Sequence, residues 1–337
     1  MEKQSLKTLS ASRIKTLETC SWVYWNNYHT KVPQSQNDGA LRGTICHTIF
    51  ELLLNKRHLK NYKRIIKKNS IDGDEGVARL VKKLSVKVKL DESNYKLLND
   101  MILVGLKNDF FGEGGEIVKP EYDFDITNEE PKYHIKGFID KPIKIKKEMH
   151  IIDYKSSKYK FRGDDLEANI QAMMYSLASK KLWPKLKPIV KFLFLRFPKQ
   201  PIQELIFTDE QIKGFEHYLE HINDYVNKFN EESARANFAV DSQKNKWMCQ
   251  VGGWKCPYKD PYKYYVKVND KGEVVETSLE NNFKDIKGFK VETRDYEGCP
   301  KFQSSSKKDD FLDDSKDEFL DWLVLKSLLY LGNDTII

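Results

Sequence analysis

Asp140, Asp153 and Lys155, within the stretch GFIDKPIKIKKEMHIIDYKSS, have the residue types and spacing that metal-assisted hydrolysis requires. Asp153 and Lys155 lie two apart in an alternating segment, so period-two geometry puts both side chains on one side of a sheet. A hairpin through Lys146, Lys147 and Glu148 would bring Asp140, at the end of the preceding strand, alongside them. Paired carboxylates hold Mg2+ or Mn2+ because hard divalent ions prefer oxygen ligands. An adjacent lysine orients the attacking water or offsets phosphate charge. This is the chemistry of phosphodiester hydrolysis. An Asp-x-Lys triplet also occurs as a solvated strand face, but Asp153 follows the run His150-Ile151-Ile152 and so emerges from a buried strand. An unpaired carboxylate there is costly.

The elements that must position these residues follow from periodicity. Residues 10–28 read as an opening helix, with Ser10 and Ser12 as caps and Ile14, Leu17 and Val23 at helical intervals. Residues 41–54, LRGTICHTIFELLL, predict a second, more apolar helix on which Gly43, His47 and Glu51 share a face. His47 on such a helix suits either a core histidine or a ligand. Residues 55 to about 110 are helical in pattern and strongly basic. Alternation then predicts strands over 121–126, 133–140, 143–155 and 189–197, with a crossing helix over 165–182. Another amphipathic helix is expected over 208–232, started by Thr208. The order implies a mixed sheet with helices packed on it, an α/β fold.

Charge and composition narrow the setting. The 57 basic and 50 acidic residues leave a formal charge of +7, so partners must be read from patches. Residues 56–68 carry seven Lys or Arg and no acid, which suits phosphate contacts or a solvated face. No stretch approaches the roughly 20 apolar residues of a membrane span, and MEKQSLKTLS lacks the apolar core of a signal peptide, so the expectation is a cytoplasmic protein that contacts no membrane. Five cysteines, an odd number, argue against a disulfide framework and leave metal ligation as the question.

Taken together, GFIDKPIKIKKEMHIIDYKSS resembles the core of the PD-(D/E)XK nuclease superfamily, in particular its RecB-like branch. SASRIKTLETCSWVYW resembles the branch's first helix, GTICHTIFE its glycine-histidine-glutamate helix, and QAMMY its glutamine-tyrosine helix. The resemblance implies a restriction-endonuclease-like fold: a mixed central sheet flanked by helices, with a helical insertion and a cysteine-rich C-terminal segment. It implies His47, Asp140, Asp153 and the Tyr154 carbonyl as metal ligands and Lys155 as the catalytic lysine. Gln171 and Tyr175 would support the lysine and contact the DNA backbone. Glu121 stands in the strand before the motif, where it is either a supporting carboxylate or an ordinary surface residue. The expected organisation is a nuclease domain over 1–302, with a basic helical insertion at 55–115 and a cysteine-bearing segment at 241–302. An acidic linker and short helix over 303–337 would follow.

Cys20, Cys249, Cys256 and Cys299 resemble the one-early, three-late arrangement of RecB-like proteins that carry an iron-sulfur cluster, which implies a four-iron four-sulfur (4Fe-4S) cluster. The long Cys256–Cys299 span departs from that pattern, though a hairpin around Asn269-Asp270-Lys271-Gly272 accommodates it. Zn2+ on the same thiolates and independent buried thiols are the rivals. Cys46, next to His47, is expected in the core. The expected activity is DNA cleavage, as an exonuclease on single-stranded or frayed DNA in replication, recombination or repair. The alternatives are a DNA-binding accessory module that keeps the fold and an RNA-directed enzyme. The acidic tail suggests a helicase, polymerase or single-strand-binding protein as partner.

Overall fold

In a computed structural model, the described residues run from 6 to 302, except 36–37, 88–90, 129, 131, 245–248, 250–255 and 284–287. The acidic linker and helix expected over 303–337 lie outside them. Strand β1 (Thr8–Leu9) leads into α1 (Ala11–Thr19) and α2 (Ser21–Tyr28). Ser10 caps α1 through the Arg13 N–H, as expected. The single helix expected over 10–28 is broken, because Cys20 takes an extended conformation at φ −162° and ψ 115°.

Helix α3 (Asp38–Leu54) is the centre of the core, burying Ile45, Cys46, Ile49, Phe50 and Leu53. The basic segment folds over it as α4 (Leu59–Lys68), α5 (Glu75–Leu84) and α6 (Glu92–Lys107). Each contributes an apolar stripe, with Ile65, Val81 and Ile102 fully buried, so most of the lysines are left on the outer faces.

The strands follow: β2 (Glu116–Ile117), β3 (Tyr122–Thr127), β4 (His134–Ile139), β5 (Lys141–Ile145) and β6 (Glu148–Lys155). The expected hairpin joins β5 to β6, with Lys146 at φ 51° in its turn and Lys141 opposite Ile152. Helices α7 (Asp164–Glu167) and α8 (Ile170–Leu182) then cross to β7 (Lys187–Phe194) and β8 (Ile202–Leu205). The helix expected over 165–182 is split because Asn169 takes an extended conformation and caps α8 through the Ala172 N–H. One sheet has the order β2-β5-β6-β7-β8, with β6 and β7 parallel and its other pairs antiparallel; the second has the order β1-β4-β3. The chain passes from the second sheet to the first at Asp140, between β4 and β5. This is a mixed α/β fold of the restriction-endonuclease-like kind, with helices flanking the sheets. Helix α9 (Asp209–Lys228) starts with a capping box between Thr208 and Gln211, and α10 (Glu231–Lys244) follows.

The chain divides into two compact units, residues 1–30 with 34–241, and residues 31–33 with 242 onward. The second holds an antiparallel sheet of β9 (Tyr262–Asn269), β10 (Val274–Ser278) and β11 (Phe289–Tyr296), ordered β10-β9-β11. Its first hairpin turns at Asn269–Gly272 as expected, with the Asn269 side chain accepting the Lys271 and Glu273 N–H groups. The Tyr258 and Tyr262 hydroxyls donate to the carbonyls of Val32 and Pro33, which ties that short segment to this unit. No helix among the described residues is long and apolar enough to cross a membrane.

Two helical glycines separate packing from propensity. A Cβ on Gly105 of α6 would lie 2.2 Å from the Phe50 ring of α3, whereas one on exposed Gly214 of α9 would meet nothing within 4 Å. Both gain helix propensity as alanine. Gly214→Ala should raise unfolding stability by about 0.5–1 kcal/mol, and Gly105→Ala should lower it by about 1–3 kcal/mol, read from urea midpoints. Stabilisation of both would contradict the α3–α6 contact.

Candidate active site

Asp140 is almost fully buried, its side chain 8% exposed, and its Oδ2 accepts the Tyr154 N–H at 2.7 Å. Asp153 leaves the buried middle of β6, opposite Phe192 of β7, with its side chain 4% exposed. Its Oδ1 lies 2.9 Å from Gln171 Nε2, which donates to it, and 2.8 Å from the Tyr175 hydroxyl. Gln171 and Tyr175 sit one turn apart on α8, so one helix face supplies both. Gln171 Oε1 accepts from Lys155 Nζ at 2.7 Å. The single Tyr175 proton has two acceptors within reach, Asp153 Oδ1 and the Phe138 carbonyl at 2.9 Å. Asp153 Oδ2 lies 2.6 Å from Lys155 Nζ as an ion pair, yet this buried oxygen receives no aligned hydrogen bond.

Helix α3 supplies the third side. Its Gly43 approaches the end of β6 so closely that a Cβ would lie 2.8 Å from Ser156 Oγ. One turn later, His47 Nε2 is 3.1 Å from the Tyr154 carbonyl, and Nδ1 is 3.4 Å from Asp140 Oδ1 and 3.7 Å from Glu121 Oε1. Each of His47, Glu121 and Asp140 offers a ligand atom, and these lie within 4.8 Å of one another, an acidic site able to hold a metal ion. His47 and Glu121 line an open groove of about 600 Å³ together with Thr44, Glu51 and Phe138.

The electrostatics follow from crowding. Burial first, and then the charge of Asp153, raise the Asp140 carboxyl above the usual carboxylate range, while His47 and the Tyr154 N–H oppose that rise. For His47, burial alone would lower the pKa. Hydrogen bonding to Asp140 and Glu121 and the Asp153 charge outweigh it and raise the imidazole to about 11. Burial and the neighbouring carboxylates keep the Tyr175 phenol protonated and available as a donor.

The residues singled out in the sequence, His47, Asp140, Asp153, Tyr154, Lys155, Gln171 and Tyr175, thus come together in the first unit. Asp153 faces Lys155 and α8, and the compact set around His47 takes Glu121 as its second carboxylate. Glu121 does not belong to the strand in which its sequence places it. It precedes β3 in a turn at φ 48°, its N–H bonded to the Asp140 carbonyl at 2.9 Å, and this turn directs its carboxylate to His47. Periodicity carries no signal for a left-handed turn at a non-glycine residue. Cys46 is fully buried, and burial pushes its thiol up to about 12. Cys20 marks the break between α1 and α2, and Cys249, Cys256 and Cys299 belong to the second unit. Burial and the nearby Cys249 raise the Cys256 thiol.

Two adjoining strands that present an aspartate and an Asp-x-Lys triplet, backed by a Gln/Tyr helix, define a class of phosphodiester-cleaving enzymes. The chain belongs to the PD-(D/E)XK nuclease superfamily, which matches residues 8–260. No curated protein matches the chain. Among solved structures, a candidate exonuclease from Eubacterium rectale is similar over 65% of this chain and 79% of that one, at 13% identity and a TM-score of 0.42.

The histidine gives a pH prediction. Its pKa in the fold lies above the 6.5 it has when unfolded, so its contribution to metal-free stability is complete below about 6.5. That contribution is lost as pH rises toward about 11. By NMR, the His47 imidazole should remain protonated through neutral pH in the metal-free protein, and Asp140→Asn should lower its titration point. Titration near 6.5 in the unaltered chain would contradict this geometry.

Proposed function

We propose that this chain is a metal-dependent deoxyribonuclease of the RecB-like branch, an exonuclease acting on single-stranded or frayed DNA in replication, recombination or repair. One observation carries the reading: two buried carboxylates converge on a histidine and a lysine, and Asp153 Oδ2 is buried without an aligned donor. Such an oxygen suits a cation. A donor set of carboxylates, a carbonyl and one imidazole fits Mg2+ or Mn2+, the nitrogen favouring Mn2+. His47, Asp140, Asp153 and the Tyr154 carbonyl would hold the ion, with Glu121 beside them. When bound, the ion supplies Lewis-acid charge for attack on a phosphodiester.

The side chains do the rest. Gln171 holds Lys155 through Oε1 and Asp153 through Nε2, so the ammonium stays where it can offset phosphate charge and orient a water. Tyr175, protonated, reinforces Asp153. His47 must lose its proton to become a ligand, so acid weakens metal binding. Exposed Lys60, Lys63 and Lys67 on α4, the helix after α3, suit DNA phosphates. The acidic tail over 303–337 is proposed to recruit a helicase, polymerase or single-strand-binding protein. A 4Fe-4S cluster is proposed for Cys20, Cys249, Cys256 and Cys299 on their order in the sequence, with Zn2+ as its rival.

Asp153→Asn and Lys155→Ala should each lower cleavage of end-labelled DNA by on the order of 10²–10⁴-fold with Mn2+ or Mg2+, with DNA binding retained. Unaltered protein that degrades no DNA with either ion would sink the nuclease reading for this chain. Separately, anaerobically purified protein should be brown, with broad thiolate-to-iron absorption near about 400 nm. Colourless protein with stoichiometric zinc would replace the cluster.

A further inference from the structure

Phe138 is an exposed aromatic on a rigid strand. Its residue is 54% exposed, although the next residue, Ile139, is fully buried. The backbone beneath it is fixed twice: β4 pairs it with Asp123 of β3, and its carbonyl is an acceptor within reach of the Tyr175 hydroxyl. Gly137 makes room on this strand for the buried Phe124 ring, which a Cβ would meet at 2.6 Å. Phe138 therefore cannot fold into the core without displacing the strand that ends at Ile139, next to Asp140.

Two grooves meet at this ring. Phe138 lines the groove of His47 and Glu121, and also a larger one of about 1540 Å³ that includes Lys155, Gln171, Phe161 and Tyr218. The larger groove is lined by Arg13, Lys15, Lys136, Lys155 and Arg162 and by the acids Glu18 and Asp165; Lys15 is paired with Asp165, Lys136 with Asp125 and Lys155 with Asp153. Exposed Arg162 makes no ion pair among the described residues. Anionic phosphates are favoured at Arg13 and Arg162, which no carboxylate offsets among the described ion pairs. The charge would hold the phosphates while the ring stays free for an apolar, planar group.

We propose that Phe138 is a stacking platform for an unpaired nucleobase next to the scissile phosphate, so that the site accepts single-stranded DNA whose phosphates follow the larger groove past Arg162. The inference rests on the nuclease reading and names the residue that would select its single-stranded substrate. A base within a duplex has both faces occupied by its neighbours and must leave its stack to reach the ring, whereas a single strand offers its bases at lower cost. The platform stands two residues before Asp140, so the stacked nucleotide lies beside the carboxylates.

The test is a binding cycle in the cleavage-deficient Lys155→Ala background, read by fluorescence anisotropy with a short single strand carrying one abasic site at each position in turn. Phe138→Ala should weaken binding of the intact strand by about 5- to 100-fold, and Phe138→Trp should retain it. At one position, the abasic strand should bind the Phe138 protein as weakly as the intact strand binds Phe138→Ala, with no further loss when both changes are combined. Unchanged binding by Phe138→Ala, or losses that simply multiply at every position, would overturn the platform. Because Phe138 is exposed, thermal melts of both variants should match the parent. If unaltered protein binds DNA but never cleaves it, the nuclease reading fails while this cycle, run without the Lys155 change, still reports on stacking.

Discussion

Two carboxylates, Asp140 and Asp153, are held nearly free of water where β4 runs into β5 and where β6 ends. Burying one ionised carboxylate costs several kcal/mol unless it is compensated, and burying two that repel each other costs more. The upward displacement of the Asp140 pKa registers that conflict. The compensation comes from separate elements. The Tyr154 N–H comes from β6 and His47 from α3, while Gln171 and Tyr175 come from α8 and Lys155 from the last position of β6. None of these elements can shift by much more than a hydrogen-bond length without leaving charge exposed to an apolar interior.

That constraint explains why helix α3 has two unlike faces. Cys46, Ile49, Phe50 and Leu53 lock it into the core under α4, α5 and α6, and the same rigidity presents His47 to the carboxylates. The basic helical segment is thus structural on its inner side, whatever its lysines contact outside. Helix α8 behaves similarly: Ala172, Leu177 and Ala178 are buried, and Gln171 and Tyr175 point to Asp153. In the metal-free state the raised His47 pKa makes its proton the cation that the carboxylates lack. A divalent ion is proposed to take that place.

Much of this was legible in the sequence because the controlling patterns are local. Asp153 and Lys155 share a side through a two-residue period, Gly43 and His47 share a face through a four-residue one, and Thr208 with Gln211 spells a helix start. What was not legible depends on single dihedral angles or on very short pairings. The breaks at Cys20 and Asn169 interrupt otherwise continuous helical periodicity. Glu121 reaches His47 from a left-handed turn that its neighbours do not announce. Strands β1, β2 and β8 span only two to four residues, too few for alternation to register.

The most direct test of the proposed metal centre is calorimetric titration of Mn2+ at pH 7.5 in two buffers of different ionisation enthalpy, which counts the protons displaced per ion. If His47 is held protonated by the carboxylates and becomes a ligand, about one proton should leave per Mn2+ bound. His47→Gln should bind more weakly and release none. Mn2+ binding without proton release, or undiminished binding by Asp140→Asn, would contradict a metal seated between His47 and the buried aspartates.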